Sequence, residues 1–447
     1  MKSFILLLCI LVFGLQPSHA EDKLIIVSPH WEGIRYEMGR AFNEHRRKIG
    51  APSVKISWLD VGGTSEILRY LQSEYMQTPE GVQIDMLFGG GIEPFLQLKA
   101  SGLLERPGLH GEELAGVAHM LGGVPLHDPD GYYYAPVISA FGLLCNLEVL
   151  RTIGVSIPAK WSDLTGAEYR GWLSSADPRK SGSTHMFYEI LLQAYGWEQG
   201  WKMIFNIAGN INSFSSHSSQ VTQDVIGGET ACGFAIDSQA WAQIERFGSD
   251  KLAFIVPSDA SFANGDSAAI LKGAPNYQLA SDFLSFLLSE AAQKVWMYRP
   301  TSPGGPSKYE LARLGVRPSL YSDLQQQSSI LLNPFSWDSS LPYDHKLGAA
   351  RWGLLNELLG TFVLTAKHYN LAYSGKLPVN EEQAMSLISS GDWHDQGLRR
   401  NIVAGWRSGI FREIDEGSLF WLNAAPTITF ILLCVLAIVV RARRFGR

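Results

Sequence analysis

From residue 24 to residue 104, short apolar runs alternate with stretches in which apolar residues recur every three or four positions. Residues 24–27 (LIIV) read as a strand, and over 31–47 the spacing of Ile34, Met38, Ala41 and Phe42 predicts a helix with one apolar face. Residues 53–61 (SVKISWLDV) alternate as a second strand and stop at Gly62-Gly63. Thr64 or Ser65 then caps a helix over 66–75. Residues 84–91 (IDMLFGGG) form a third strand closed by Gly89, Gly90 and Gly91, ahead of another helical stretch from 92. Strand and helix in this alternation predict a parallel sheet with right-handed crossovers. Ligands in such sheets sit at the carboxyl ends of strands, where His30, Trp31, Thr64, Ser65, Gly90 and Gly91 all fall.

A second unit follows the apolar run 132–150. It has a strand and turn at 171–178, then a polar loop, Ser181-Gly182-Ser183-Thr184, opening an apolar helix. A helix start at Ser218-Ser219 and a strand ending at Asp237 come next. Helices opened by small hydroxyl residues present free N–H groups, so Thr64-Ser65 and Ser183-Thr184 aimed from two units would cage an oxyanion or carboxylate.

The ends add topology. Residues 1–20 have Lys2, an apolar core and the small-residue pattern Ser18-His19-Ala20, the layout of an export signal cut after Ala20. Residues 418–440 carry no charge, are long enough to span a bilayer, and are followed by Arg441, Arg443, Arg444 and Arg447. The positive-inside rule puts that tail in the cytoplasm and residues 21–417 in the periplasm, held at the inner membrane.

Composition narrows the classes. A chain of 447 residues with net charge −6 and no basic block has no nucleic-acid footprint. Nucleophile-elbow, zincin and P-loop patterns are all missing from the sequence, and no cofactor is implied. His30, Asp237 and Ser183 are the residues from which a hydrolytic site would have to be built. Cys145 and Cys232 lie in apolar, strand-like runs; one bridge is possible, and two buried thiols fit the pattern somewhat better.

The order HWEGI, GGTSEI, DMLFGGG, DPRKSGST, GGETACGFAID and then AAILKGAPNYQLASDFLSFLLSEAAQKVW resembles the extracellular solute-binding proteins of ABC importers, in the branch that binds ferric iron, thiamine, putrescine and phosphonates. The resemblance covers about 22–300. It implies the two-lobe α/β fold of type II periplasmic binding proteins, with lobe one at 21–135 and 240–300, lobe two at 136–239, and no enzymatic activity. It implies a small molecule or ion in the interlobe cleft, and an ABC permease and ATPase as partners. By the same resemblance His30 is a candidate metal ligand and Asp237 faces the cleft. The adjacent tyrosines with which iron binders hold ferric ion are missing at "FAIDSQAW". Residues 301–417 read as a helical extension, with His345, His368 and His394 too scattered for a metal site. A ligand sensor signalling through a membrane partner is the alternative function.

Overall fold

The computed structural model describes residues 22–408 except 122, 261, 323, 331, 337–340, 365–378, 392, 394 and 396. The export signal (1–20), membrane helix (418–440) and basic tail expected from sequence, with His368 and His394, lie outside the described residues. Among the described residues no helix is long and apolar enough to cross a membrane.

The first lobe begins as the apolar pattern predicts: β1 (Asp22–Val27), α1 (Glu32–Lys48), β2 (Val54–Leu59), α2 (Thr64–Gln77), β3 (Met86–Phe88) and α3 (Ile92–Ala100). β1 pairs in parallel with both β2 and β3. The α1 stripe of Ile34, Met38, Ala41 and Phe42 is buried, as its spacing requires. Burying each of the larger side chains contributes about 1.5–3 kcal/mol. Short pieces follow, β4 (Leu104–Glu105) and the hairpin β5 (Met120–Leu121) with β6 (Val124–Pro125).

β7 (Tyr134–Asn146) is a 13-residue strand buried along nearly its whole length, which explains its unbroken apolar reading. It leads into the second lobe, with α4 (Leu147–Ile153), β8 (Leu173–Ala176), α5 (Gly182–Tyr195), α6 (Trp197–Asn210), β9 (Ile211–Ser215), α7 (Ser218–Ile226), β10 (Cys232–Ile236), α8 (Asp237–Phe247) and β11 (Leu252–Ile255). The chain returns through β12 (Ala263–Leu271), α9 (Tyr277–Leu288), α10 (Glu290–Met297) and β13 (Leu314–Gly315).

The strand order is β2-β1-β3-β12-β7-β10-β8-β9, and β7 belongs to both lobes. Its first half pairs antiparallel with β12, from Tyr134 to Ala140, and its second half with β10 and β11, from Phe141 to Asn146. Because β11 pairs with the lobe-two end of β7, the chain re-enters lobe one at β12 rather than near residue 240. β13 also pairs with β7, opposite Ile138 and Val137, so residues just past 300 complete lobe one rather than beginning a separate extension.

Cys145 and Cys232 form a disulfide, against the expectation of two thiols. The reason is register: the two cysteines are directly opposed across β7 and β10, 4.1 Å apart at Cα. Beyond lobe one, the helix His345–Leu358 continues as a π-helical turn, Leu359–Leu364, and a further helix spans Glu381–Ser389. Within lobe one, the buried carboxylate of Glu37 ties the segment that leads into β13 to α1. It accepts backbone N–H bonds from Ser307, Lys308 and Tyr309 at 2.6–2.9 Å. Burial alone would raise its pKa, but these bonds and Arg40 hold it below the ordinary carboxylate value.

Candidate ligand cleft between the lobes

A cavity of about 530 Å³ opens between the lobes at the carboxyl ends of the parallel strands. The N-cap residues of six helices line it: Trp31, Gly63 and Gly91 from α1, α2 and α3 of lobe one, and Ser181, His217 and Ile236 from α5, α7 and α8 of lobe two. The first N–H groups of a helix have no partner within it, and each N-terminus carries roughly half a positive charge. Six such ends around one cavity make a dipolar site for an anion. Lys180 adds a cation to the lining, its Nζ donating to Ser216 Oγ at 3.4 Å. The second cation, Arg35, is committed to Asp60 Oδ2 and the Ser28 carbonyl oxygen.

The floor comes from the shared central strands. Arg313 donates to Ser139 Oγ (3.0 Å) and ion-pairs with Asp266. Asp266 also accepts the Gly90 N–H (2.5 Å) and lies 3.2 Å from His30 Nε2. Burial would raise the Asp266 carboxyl, yet Arg313 and His30 bring it down to about 2. Beside this neutralised cluster three buried atoms have no partner among the described residues: Asn264 Nδ2, Arg313 Nε and His30 Nδ1. Asn264 and Arg313 are 1% and 4% exposed, and both line the cavity. A buried donor left unpaired costs about 1–3 kcal/mol, so the Asn264 amide and Arg313 Nε are placed to donate to a ligand's oxygens. No tyrosine lines the cavity among the described residues, and no group of three or more His, Cys, Asp or Glu among them is placed to hold a metal ion.

Of the residues singled out in the sequence, His30, Trp31, Thr64, Gly90, Gly91 and Ser183 line the cavity, while Ser65, Thr184 and Asp237 do not. Ser65 is buried behind the start of α2 with its hydroxyl unpartnered. Thr184 donates through N–H and Oγ1 to Ser181 Oγ, so it completes the cap of α5 rather than facing the cavity. Asp237, expected at the cleft, is fully buried behind the floor, because the first turn of α8 directs Ser238 and Gln239 to the cavity instead. Burial, opposed by Arg313, pushes its carboxyl up to about 7. No hydrogen bond links His30, Asp237 and Ser183 among the described residues: His30 pairs with Asp266, and Ser183 Oγ with Ser181 Oγ. Trp31 is 52% exposed at the rim and meets the edge of Tyr309 at 5.3 Å. The glycines do more than end a strand. Gly89 has φ of +108°, and a Cβ there would lie 2.7 Å from the His30 ring.

Sequence reasoning missed Asn264, Asp266, Arg313, Lys180 and His217. The one signal available was their polarity inside apolar surroundings, as in "FANGDSAAIL" and "ELARLGV".

The lobes touch at one side of the cleft. Arg69 Nη1 on α2 donates to the Arg179 carbonyl at 3.2 Å, and Gly63 packs on the Lys180 carbonyl so closely that a Cβ would lie 1.9 Å from its oxygen.

Among solved structures the chain superposes on the periplasmic binding protein P5PA with a TM-score of 0.61 and 21% identity, covering 76% of this chain and 99% of that one. The fold is that of the periplasmic binding proteins. AfuA from Actinobacillus pleuropneumoniae, with fructose-6-phosphate bound, shares this periplasmic-binding-protein fold at a TM-score of 0.61 and 20% identity, over 76% of this chain and 98% of that one. Iron-bound HitA from Pseudomonas aeruginosa does so at 0.59 and 18%, over 76% and 99%. Residues 94–312 match the model of a family described as bacterial extracellular solute-binding protein. The phosphoglycerate transport regulatory protein PgtC of Salmonella typhimurium is 30% identical over 194 residues, 42% of this chain and 48% of that protein. An uncharacterised protein of Haemophilus influenzae is 25% identical over 215 residues, 48% of this chain and 60% of that one. The chain spans about half the length of the curated relatives it matches.

Proposed function

We propose that this chain captures a small organic anion, a phosphate ester above all, in the interlobe cleft and delivers it to an ABC permease and its ATPase. In this reading it is a binding protein rather than an enzyme, resides in the periplasm, and is tethered to the inner membrane through residues 418–440. One observation carries it. Six helix N-caps, three from each lobe, surround a cavity whose floor holds the unpartnered Asn264 amide and Arg313 Nε. The likeness to PgtC and to fructose-6-phosphate-bound AfuA points the same way. Direct ferric binding fits less well, since no tyrosine lines the cavity among the described residues.

A second reading, ligand sensing through a membrane partner, is favoured by the regulatory name of PgtC and by a structural neighbour described as mediating two-component signal transduction (TM-score 0.54, 16% identity, 73% of this chain and 98% of that one). Loss of the gene separates the two: it lowers uptake directly in the first case and abolishes ligand-induced transcription in the second.

The cleft is tested by thermal melting against inorganic phosphate, phosphoglycerate, fructose 6-phosphate, citrate and ferric citrate. A ligand of the native state at a hundred times its Kd adds about 2.7 kcal/mol. A phosphorylated organic solute is expected to raise Tm. A rise with ferric citrate, but with neither citrate alone nor any phosphorylated solute, would overturn the anion reading.

A further inference from the structure

The lobes are joined by more than their crossover strands. Tyr343 stacks on Phe262 (ring centroids 4.4 Å), which stacks on Phe141 of β7 (5.7 Å). Residues 343–364 thus start against the return crossing at Phe262, which is itself stacked on β7. The helix His345–Leu358 then holds each lobe by a buried polar pair. His345 Nδ1 lies 2.8 Å from Glu93 Oε1 on α3 of lobe one. Arg351 donates to both oxygens of Glu189 on α5 of lobe two at 2.8–3.1 Å, the two side chains 2% and 0% exposed. Trp352 stacks on His185 of α5 at 3.7 Å, and Asp344 and Gln193 exchange two hydrogen bonds. The π-helical turn comes down on Arg179, where a Cβ at Gly360 would lie 2.6 Å from Cδ.

These attachments are not scattered. α3 and α5 are two of the helices whose N-caps line the cleft, and Arg179 immediately precedes the Lys180–Ser181 segment at which the lobes touch. A rigid helix bonded to one cleft-forming helix in each lobe must be sheared when the lobes rotate. The buried Arg351–Glu189 ion pair resists that shear, because an ion separated from its partner in the interior is strongly disfavoured, and the His345–Glu93 hydrogen bond holds the other end. Packed elements of this sort switch between discrete arrangements rather than stretching.

We infer that residues 343–364 are an interlobe strap: they help set the angle of the lobes, and lobe movement is transmitted through them toward the C-terminal part of the chain. This goes beyond ligand capture, and its test needs no ligand. Spin labels on the exposed positions Lys55→Cys in lobe one and Glu229→Cys in lobe two report the interlobe distance by dipolar spectroscopy. Releasing the lobe-one attachment with His345→Ala is expected to move that distance to longer values, and an unchanged distribution in the folded variant overturns the strap. Should His345→Ala not fold, the reciprocal experiment decides. Gly63→Ala wedges the lobes apart from outside the strap, and hydrogen exchange across His345–Leu358 is expected to accelerate about tenfold while α9 is unaffected. Unchanged exchange in the strap, with a lengthened label distance, overturns the proposal.

Discussion

Gly63→Ala is the sharpest test of how the cleft closes. Gly63 has extended backbone at φ −78° and ψ 173°, which alanine adopts without strain, so the change is local to packing. Its new Cβ would stand 1.9 Å from the Lys180 carbonyl oxygen, whereas ordinary contact starts at about 3.4 Å. The lobes must therefore separate by about 1.5 Å at that point (3.4 − 1.9). Hydrogen bonds that are sound at 2.7–3.2 Å are lost beyond about 3.6 Å, so a ligand seated on lobe two loses the amides at the start of α2. One charge-assisted bond lost costs about 1.5–3 kcal/mol, which is a ten- to hundredfold weaker Kd. Titration calorimetry with phosphoglycerate measures this, with small-angle scattering to follow the opening. The clash loads the interlobe contacts rather than the lobe-one core, so Tm without ligand is expected to fall only modestly, with the variant still folded. Unchanged affinity and unchanged radius of gyration would refute the argument that the two helix N-termini must meet for binding.

Asn264→Leu removes the unpartnered donor on the cleft floor; affinity for phosphoglycerate is expected to fall about tenfold or more while stability holds or rises, since an unsatisfied buried amide is itself unfavourable. Affinity unchanged in titration calorimetry would exclude Asn264 from the site. Asp237 binds its proton more tightly when folded (about 7) than an unfolded carboxyl does (about 3.9), so its burial lowers stability as pH rises from about 4 to 7. Asp237→Asn is then expected to match the parent at pH 4 and exceed it at pH 8 by up to about 4 kcal/mol, and parallel pH profiles in urea melts would contradict this. Replacing Cys145 and Cys232 together by alanine opens an 87-residue separation and is expected to cost about 2–5 kcal/mol in the same melts, a loss mimicked by reductant in the parent.

What could be read in the sequence was local. The strand-then-helix rhythm of residues 22–100 depends on residues a few positions apart, and it appears in the structure close to where the pattern puts it. Helices α2 and α5 also start at the expected polar stretches, but α2 is capped by Gly63 with no side-chain bond rather than by Thr64 or Ser65, and α5 by Ser181. The cleft floor could not be read in the same way. Asn264 and Asp266 come from a strand buried along its length, and Arg313 joins them from 47 residues beyond Asp266, through a pairing of β13 with β7 that no periodicity encodes. The disulfide has the same character, since only the register of β7 against β10 opposes the two cysteines. Asp237 shows the limit from the other side: a carboxylate ending a strand in the expected place was rotated inward by the helix that starts on it.

The sharing of β7 bears on the order in which the chain can acquire structure. Lobe one begins at residue 22, yet its sheet lacks its central strand until β12 (Ala263–Leu271) has arrived and its last pairing until Leu314–Gly315. A polypeptide emerging amino end first therefore exposes three parallel strands with no partner for the edge of β3 while about 180 further residues, from Gly89 to Ser267, are still being delivered. Contacts of such sequence separation are slow to form, and intermediates with open strand edges invite association. The same topology ties both lobes into one cooperative unit, so melting is expected as a single transition rather than two.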